Sequence, residues 1–323
     1  MKRLFLLMLL ALTLLCGCEA APKRFSAVYS DVFDTVTEFT AYCSSQEEFN
    51  RLSEICHGEL TRLHGIFDIY DGDVENGARA LNSGYIEDCP EELLLLIDRG
   101  KEWYSISGGK LNIAMGSVLS LWHDCREKGV LPDANRLKER AEHCDIGKIS
   151  VDGKSVALLD PKMSLDFGAI AKGYAAQRTA ELLGEGFDGS FALNVGGNVV
   201  TRGEKPSGKW EIGIEDPDGG ILTTVKTAGE CVVTSGDYQR YFEVDGVRYH
   251  HIIDPDTLYP ASLWRSVTVI AEDSGIADAL STALFCMSES DGAELALRFG
   301  AQALWVAPDG SIRRTEGFAE YEK

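Results

Sequence analysis

The fold class follows from the stretch Tyr241-Phe242-Glu243-Val244-Asp245-Gly246-Val247-Arg248-Tyr249. Asp-Gly between two short segments of β-branched and aromatic residues is a strong signal for a two-residue hairpin turn, because such turns need positive φ angles at their central positions. A hairpin joins antiparallel strands, whereas a parallel sheet needs a long crossover between its strands. The stretch therefore favours an α+β fold over a doubly wound parallel sheet.

The rest of the chain shows the same succession of short strands and separate helices. Alternating Thr, Val and Phe from Val28 to Tyr42 indicate a strand or hairpin, and apolar residues at helical spacing from Phe49 to Phe67 indicate a helix. Further strands are expected at Phe191–Val200, Trp210–Ile214, Cys231–Thr234 and Val267–Ala271, and further helices at Pro90–Trp103, Asp133–Cys144, after Gly168 and at Gly275–Met287. With no internal repeat or long linker, we predict one compact α+β unit of mixed, largely antiparallel sheets with packed helices.

The composition is that of an ordinary globular protein. The 323 residues are 45% hydrophobic and 25% charged, which excludes a mainly disordered chain. The 31 Lys and Arg against 51 Asp and Glu give a net charge of -20, and such an acidic surface repels nucleic-acid phosphates. We therefore expect no nucleic-acid partner. A small anionic ligand would need a metal ion, a helix N-terminus or a well-placed Lys.

The N-terminus is similar to a bacterial lipoprotein signal. A basic start precedes the apolar run Leu4–Leu15, which is shorter than the roughly 20 residues that span a bilayer. Gly17 and Cys18 follow the run as in a lipobox. We divide the chain into a signal peptide at residues 1–17, a tether at 18–27 with Cys18 lipidated, and a domain at 28–323. The alternative is ordinary secretion with cleavage near Ala20. Both place the mature chain outside the cytoplasm, and lipidation would anchor it to a membrane of the cell envelope.

The remaining cysteines do not indicate a metal or a disulfide framework. They are scattered singly, with no C-x-x-C pair and no His at metal spacing, at Cys43, Cys56, Cys89, Cys125, Cys144, Cys231 and Cys286. Zinc is therefore not indicated. Their number is odd, so at least one thiol is expected to be free, and we expect most to be buried as small hydrophobic residues.

The first stretch with chemical potential is Ser164–Tyr174. A strand is expected to end at Asp166, Gly168 permits a tight turn, and a helix is expected from about Ala169. The N–H groups of a helix N-terminus favour an anion, and Lys172 would reach a phosphate bound there. Gly173 inside the helix suggests that a neighbour approaches closely. The alternative is a plain strand-to-helix turn with Asp166 as its cap and Lys172 in solvent.

Two more stretches carry candidate ligands and a candidate base. On the helix at Gly275–Met287, for which Ser274 is a plausible N-cap, Asp278 and Thr282 are neighbours at i and i+4 and offer hard oxygen donors that suit Mg²⁺, unless Asp278 only caps the helix. His250 and His251 are adjacent at a strand end and point to opposite faces. One would be structural and the other a proton carrier, or both are ordinary surface or core residues.

Together these stretches resemble the ApbE family of flavin transferases. The matching motifs are D-F-G-A-I-A-K-G-Y-A from Asp166, N-V-G-G-N from Asn194, T-S-G-D-Y-x-R-Y-F from Thr234, H-H-I-I-D-P from His250 and A-D-A-L-S-T-A from Ala277. The resemblance implies an ApbE-like, T-fold-like unit that transfers FMN from FAD to a Thr or Ser hydroxyl of an acceptor protein.

The resemblance also implies roles for individual residues. Metal ligation falls on the carbonyl of Ala169, the carboxylate of Asp278 and the hydroxyl of Thr282. Flavin contacts fall on Tyr70, Lys110, Leu111, Asn112, Asp166, Lys172 and Ile253. The expected catalytic residues are His251 as proton acceptor and Lys172, with Asp254 or Asp237 as the runner-up acceptor.

Three positions depart from the family pattern. Phe33-Asp34-Thr35 replaces a common Met-Gly-Thr, and we expect Phe33 to pack against a flavin or adenine ring. Leu258 replaces a Gly in the D-P-x-T-G-x-P turn. Asn112 stands where Asp is common, which removes one negative charge near the site.

The chemistry expected from the resemblance is phosphoryl transfer. A target hydroxyl attacks the FMN-side phosphorus of FAD and AMP leaves, with Mg²⁺ neutralising the pyrophosphate. The expected partners are FAD, flavin-accepting proteins of the cell envelope, and a membrane reached through the lipid anchor. Two alternatives stay open: an FAD pyrophosphatase that uses water as nucleophile, and a non-catalytic flavin-binding lipoprotein.

Overall fold

The computed structural model describes residues 21–73 and 75–322 of the chain. The signal peptide and the lipidated Cys18 lie outside the described residues, so both stay predictions. Within the described ranges, no helix combines the length and the hydropathy that a membrane crossing requires.

The described part consists of short strands and mostly longer helices. The strands are β1 (Lys23–Val32), β2 (Thr35–Cys43), β3 (Tyr85–Ile86), β4 (Ile149–Asp152), β5 (Ser155–Leu158), β6 (Phe191–Val195), β7 (Asn198–Arg202), β8 (Trp210–Glu215), β9 (Ile221–Thr227), β10 (Cys231–Gly236), β11 (Tyr241–Val244), β12 (Val247–His250), β13 (Ser266–Ala271), β14 (Gln302–Val306) and β15 (Ile312–Arg314). The α-helices are α1 (Gln46–Phe67), α2 (Ala78–Leu81), α3 (Glu91–Ile106), α4 (Gly116–Lys128), α5 (Ala134–Ala141), α6 (Ala171–Gly186), α7 (Ser274–Phe285) and α8 (Glu289–Arg298). Short 3-10 helices lie at Ile146–Lys148 and Glu316–Glu320.

One antiparallel sheet organises the molecule. Eight strands pair in the order β1-β2-β6-β7-β10-β13-β14-β15, and the smaller sheets are β3-β5-β4, β8-β9 and β11-β12. Asp245 and Gly246 join β11 to β12 with positive φ angles of 52° and 77°, as the hairpin signal predicts. The predicted α+β class with largely antiparallel sheets is therefore confirmed.

The first strand begins earlier than the sequence pattern predicts. β1 starts at Lys23 and pairs with β2 from Lys23 opposite Cys43 onward, so residues 23–27 of the predicted tether belong to the sheet. The reason is that Phe25, Ala27 and Tyr29 pack against the core while the alternate residues Ser26 and Val28 are exposed. The tether prediction is therefore wrong for these five residues, and the domain begins at or before Lys23.

Three helices pack in series on one face of the sheet. α1 is capped by Ser45, whose hydroxyl accepts from the Glu48 N–H at 3.2 Å, and the apolar residues at helical spacing are buried as predicted. α1 packs against α6, α6 packs against α7, and α7 lies on β10 and β13. α7 is consequently buried almost all round, not on a single stripe.

The contact between α6 and α7 is unusually close at Gly173. A Cβ placed there would lie 2.4 Å from the Cβ of Asp278 and 2.4 Å from the carbonyl oxygen of Ser274. The close neighbour predicted from this helical glycine is therefore α7. The N-cap of α7 is Asp273, whose side chain accepts from Ile276 N–H at 2.8 Å, so the expectation that Ser274 caps the helix is wrong.

The other face of the sheet is covered by the β8–β9 hairpin. Val232, Ile270 and Leu304, from three neighbouring strands, pack there with Ile214 and Val225. Because both faces are covered, every residue of β13 is buried.

Two further parts differ from the sequence pattern. No helix is predicted at Gly116–Lys128, where the structure has α4. The predicted strand Phe191–Val200 is two strands, because Gly196 and Gly197 form a turn with φ angles of 55° and 89°. The expectation for the cysteines is confirmed: the seven in the described part are free, and all but Cys144 are buried.

Candidate active site

A cavity of about 770 Å³ opens where the ends of many elements meet. The β1–β2 turn, the loop after α1, one side of α4, the turn before α6, the β6–β7 turn and α7 all contribute to its wall. The predicted site residues in this wall are Phe33, Tyr70, Lys110, Leu111, Asn112, Asp166, Ala169, Lys172, His251, Ile253, Asp278 and Thr282. Segments far apart in sequence are therefore brought to one place.

The turn before α6 is held by Asp166. Its carboxylate accepts from the Gly168 N–H at 2.8 Å, and burial raises the pKa of Asp166 while that hydrogen bond and Lys172 oppose the rise. α6 begins only at Ala171, and its N-cap Ile170 provides no side-chain cap. Asp166 therefore closes the turn and does not cap the helix. No strand ends there either, because Ser164 makes only an isolated bridge to Met115.

Asp278 is a buried carboxylate at the inner end of the cavity. The residue is 2% exposed, and Oδ2 accepts from the Gly173 N–H at 2.8 Å. Oδ1 lies 3.8 Å from Nζ of Lys172, which donates to the Gly168 carbonyl at 3.0 Å. Burial raises the pKa of Asp278, and Lys172 lowers it. Lys172 thus lies between the turn and the carboxylate, not free in solvent.

The donor set around Asp278 fits a hard divalent cation. Ala169 and Thr282 line the same cavity and offer a carbonyl and a hydroxyl oxygen, and Oδ1 of Asp278 lies 3.8 Å from Nζ of Lys172. Mg²⁺ prefers such oxygen ligands, with water and phosphate completing the shell. Among residues 21–73 and 75–322, no cluster of three His, Cys, Asp or Glu side chains forms a competing centre.

The two adjacent histidines differ in surroundings. His250 is buried, its Nε2–H donates to the Ala261 carbonyl at 2.8 Å, and its Nδ1 accepts from the Ile252 N–H at 3.2 Å. Both ring nitrogens are used inside the protein, so His250 supports the structure although it touches the cavity wall.

His251 keeps one nitrogen available. Because a carbonyl can only accept, Nδ1–H of His251 donates to the Arg240 carbonyl at 3.2 Å, and Nε2 retains its lone pair. His251 is an exposed residue, and it lines the cavity. Desolvation by the surrounding protein, followed by the charges of Arg240 and Lys172, lowers the pKa of His251 to about 3. The ring is therefore neutral at pH 7, and Nε2 carries no proton there.

Aromatic side chains form the opposite part of the wall. Tyr70 stacks on His123 with ring centroids 4.9 Å apart, and burial, followed by the charge of Asp166, raises the pKa of Tyr70 to about 12. The ring of Phe33 contacts the ring of His64 edge-on, with the two ring centroids 5.4 Å apart. Apolar wall residues continue this surface at Met115, Leu119, Trp122, Phe242, Tyr249 and Ile253. A ligand with a flat aromatic ring system could pack against these aromatic and apolar side chains.

Asp254 is not brought into the cavity wall. Its carboxylate and that of Asp256 receive hydrogen bonds from Nζ of Lys110 at 2.9 and 2.8 Å. The other runner-up acceptor, Asp237, lies 3.5 Å from Arg265 and 3.9 Å from Arg248. Both carboxylates have cationic partners within the protein, which leaves His251 as the better-placed base.

The departures from the family pattern have structural counterparts. Leu258 adopts a φ of 63°, so the turn keeps the left-handed conformation that Gly prefers. Phe33 and Asp34 also have positive φ angles, 54° and 51°, in the β1–β2 turn. The amide of Asn112 is used locally: it donates to the Cys144 carbonyl at 3.0 Å and accepts from the Ala114 N–H at 2.9 Å.

Sequence reasoning missed several wall residues. Arg240 anchors the β1–β2 turn through the carbonyls of Phe33 and Asp34, and its own carbonyl fixes His251. Its position within T-S-G-D-Y-x-R-Y-F was the available signal. Asn198, which ends N-V-G-G-N, lines the cavity as well. Trp122 and His123 were missed because α4 was not predicted.

Comparisons with known proteins show sequence similarity over most of this chain. The sequence model of the ApbE family matches residues 33–305. A protein named FAD:protein FMN transferase from Treponema pallidum is 35% identical over 251 residues, which cover 71% of this chain and 69% of that protein. One of the same name from Rhodobacter capsulatus is 30% identical over 292 residues, which cover 88% of this chain and 56% of that protein.

Solved structures show the same fold over most of the chain. The crystal structure of the ApbE protein from Thermotoga maritima superposes with a TM-score of 0.84 at 30% identity, covering 93% of this chain and all 100% of that one. The apo flavinyl transferase ApbE from Pseudomonas stutzeri superposes with a TM-score of 0.79 at 27% identity, covering 94% and 98%. The agreement spans the large sheet and its helices as one unit.

Proposed function

Because the chain belongs to the ApbE family, we propose that it is a flavin transferase that moves FMN from FAD onto a Thr or Ser hydroxyl of an acceptor protein. The family match over residues 33–305 and the relatives named FAD:protein FMN transferase support this activity. The observation that carries it to this chain is the cavity, whose wall unites the buried carboxylate of Asp278, the neutral ring of His251 and the ammonium of Lys172.

The proton step falls to His251. With Nδ1–H bound to the Arg240 carbonyl, Nε2 is free to take the proton of the acceptor hydroxyl. The hydroxyl oxygen then forms a bond to the FMN-side phosphorus of FAD. The bond from that phosphorus to the bridging oxygen breaks, and AMP leaves with the electron pair.

The protein supplies positive charge and oxygen donors around the pyrophosphate. Mg²⁺, when bound, neutralises developing negative charge, and Asp278, Thr282 and the Ala169 carbonyl would hold it. Lys172 adds a cation close to Asp278. For a chain with a net charge of -20, this local neutralisation is what allows an anionic substrate to bind.

We further propose that the chain is an envelope lipoprotein. The support is the N-terminal sequence, with a signal peptide at residues 1–17 and Cys18 as the lipidated residue. The acceptors would then be envelope proteins that face the same compartment.

An intact-mass measurement tests the proposed function. A candidate acceptor protein is incubated with this protein, FAD and Mg²⁺, with the Asp278→Ala variant as the matched control. A mass increase equal to FMN, together with AMP release, is expected only with the wild type. Free FMN and AMP without a mass shift would instead indicate a pyrophosphatase, and FAD binding without turnover would indicate a flavin-binding protein.

A further inference from the structure

A second cavity, of about 430 Å³, shares no wall residue with the candidate active site. α3 forms one wall, the first turns of α6 and α7 form another, and a residue that follows α8 completes it. Its aliphatic wall residues are Leu95, Leu96, Ile106, Ile170 and Ile276. A cavity of this volume is large enough to hold a small organic molecule.

Two aromatic rings give this cavity a flat surface. Trp103 of α3 and Phe299 both line it, and their rings stack with centroids 4.9 Å apart and an interplanar angle of 27°. Aromatic side chains make their best contacts with other rings, stacked with an offset or edge-on. Together with the aliphatic walls, the pair therefore favours a ligand that is itself a flat ring system.

The indole N–H of Trp103 is a hydrogen-bond donor without a partner. It makes no hydrogen bond within residues 21–73 and 75–322, although the residue is only 5% exposed. By contrast, the indole groups of Trp122, Trp210 and Trp264 each donate to a backbone carbonyl. Trp305 also lacks a partner, but it lies outside this cavity. Because an indole N–H can only donate, a ligand that satisfies Trp103 must offer an acceptor atom.

The charged groups of the cavity wall are already used inside the protein. Arg99 pairs with Glu102 at 3.1 Å, and Arg178 pairs with Glu181 at 3.3 Å. Asp273 caps α7. An anionic ligand would meet these three carboxylates and only the two arginines, so the wall favours a ligand without charge.

The second cavity touches the helices that carry the candidate metal site. Tyr174 in its wall lies two residues after Lys172 on α6, and Ile276 lies two residues before Asp278 on α7. The ring of Tyr174 also packs edge-on against Phe67, with centroids 5.6 Å apart, and Phe67 lines the first cavity. A ligand in the second cavity would therefore contact both helices that position the candidate active site.

We propose that the second cavity is a binding site for a small, flat, uncharged ring system that carries a carbonyl oxygen. The ring packs against Trp103 and Phe299, and the carbonyl oxygen accepts from the indole N–H of Trp103. This inference does not depend on the proposed transferase activity, because it concerns a separate cavity and is tested by binding alone.

The test is a titration of the wild-type protein, labelled with ¹⁵N in its Trp side chains, with coumarin and without FAD, metal or acceptor. Coumarin is a flat, uncharged two-ring molecule with a carbonyl oxygen. The chain has five Trp, and the nuclear magnetic resonance signal of each indole N–H is followed separately. The Trp103 signal, identified by its loss in Trp103→Phe, should move downfield as the hydrogen bond forms, with a dissociation constant of about 1 mM or below.

Two further probes test the chemistry of the ligand. Indole is flat and uncharged but offers no lone-pair acceptor, so it should bind about 2–10-fold more weakly than coumarin. 2-Naphthoate is flat but anionic, and the three carboxylates of the wall should make it bind more weakly than coumarin as well. Equal affinity for indole and coumarin would refute the role of the Trp103 donor, and tighter binding of 2-naphthoate would refute the uncharged ligand class.

A variant and its matched control test the position of the ligand. Trp103→Phe keeps an aromatic ring but removes the donor, so it should weaken coumarin binding by about 2–10-fold, measured on the ligand by saturation-transfer resonance. Tyr104→Phe changes the next residue of α3, which is not part of the cavity wall, and should keep the wild-type affinity. Equal affinities of the two variants would overturn the proposal.

The spectrum also distinguishes the two cavities. Trp122 lines the first cavity, so a coumarin titration that moves the Trp122 signal and leaves the Trp103 signal in place would refute the second site. A Trp103 signal that does not move at several millimolar coumarin would refute it too. If Trp103→Phe does not fold, Phe variants of the other four Trp identify the Trp103 signal by elimination, and the wild-type titration still decides.

Discussion

A methyl group at Gly173 tests whether the metal site depends on how closely α6 packs against α7. In Gly173→Ala, the added Cβ would meet the Cβ of Asp278 and the Ser274 carbonyl oxygen at 2.4 Å each, whereas ordinary contacts begin at 3.4 Å. The two helices must therefore separate by about 1 Å, because a close-packed interior has no spare volume to absorb the methyl group.

The change should affect activity more than stability. Overpacking costs about 1–3 kcal/mol, and the better helix propensity of Ala returns about 1 kcal/mol, so the free energy of unfolding should fall by about 0–2 kcal/mol. The carboxylate of Asp278 moves with the helix, and a displacement of about 1 Å at a reacting centre can cost about 10²-fold in rate. We expect a loss of that size in FMN transfer at saturating FAD.

The control is Gly58→Ala on the exposed side of α1, where an added Cβ meets nothing within 4 Å. It should raise the free energy of unfolding by about 0.5–1 kcal/mol and leave the transfer rate unchanged. Denaturant unfolding and transfer rates are measured for both variants. If Gly173→Ala keeps the wild-type rate and metal affinity, the position of Asp278 does not depend on this helix contact, and the reasoning fails.

Asp278→Ala should raise the Mg²⁺ concentration needed for transfer far above millimolar, and Thr282→Val should do so more mildly; full activity of Asp278→Ala at low Mg²⁺ would contradict the site. His251→Asn should slow transfer by about 10²–10⁴-fold while FAD still binds. Because the lowered pKa keeps His251 neutral, the wild-type rate at saturating Mg²⁺ should not drop as pH falls through 6.5, and a limb there that His251→Asn removes would refute this. Leu258→Gly relieves a left-handed φ of 63°, which costs about 1–2 kcal/mol in a non-glycine residue, but it also removes a half-buried side chain that packs against the cluster of Met115 and Trp122. The two effects should nearly cancel, and a change of more than about 2 kcal/mol in denaturant unfolding would contradict this.

Local sequence patterns predicted the elements that depend on near neighbours. Asp245-Gly246 specifies its own turn, the apolar spacing of α1 specifies its buried face, and Asp278 with Thr282 follows from one helical turn. The family resemblance then named most of the cavity wall. Each of these signals lies within a few residues or in a motif that can be compared directly.

The contacts between distant segments could not be predicted in this way. The pairing of Lys110 with Asp254 joins residues 144 apart, and Gly173 with Asp278 joins residues 105 apart. A charge pattern does not say which distant carboxylate will neutralise a given lysine, so Asp254 remained a candidate base until the structure showed its partner. The paired glycines before Asn198 predict a close approach of the backbone, and nothing near Asn198 in the sequence indicates that this residue lines the cavity.

The early start of β1 limits how far the site can stand from a membrane. If Cys18 carries lipid as proposed, four residues separate it from Lys23, and the five Cα–Cα steps of an extended chain between them span at most about 18 Å. The ten residues of β1 add about 33 Å before the turn that forms part of the cavity wall. The distance from the lipid-carrying Cys18 to this part of the cavity wall would then be about 50 Å at most. An acceptor would have to present its hydroxyl group within that layer above the bilayer, whatever the affinity between the two proteins.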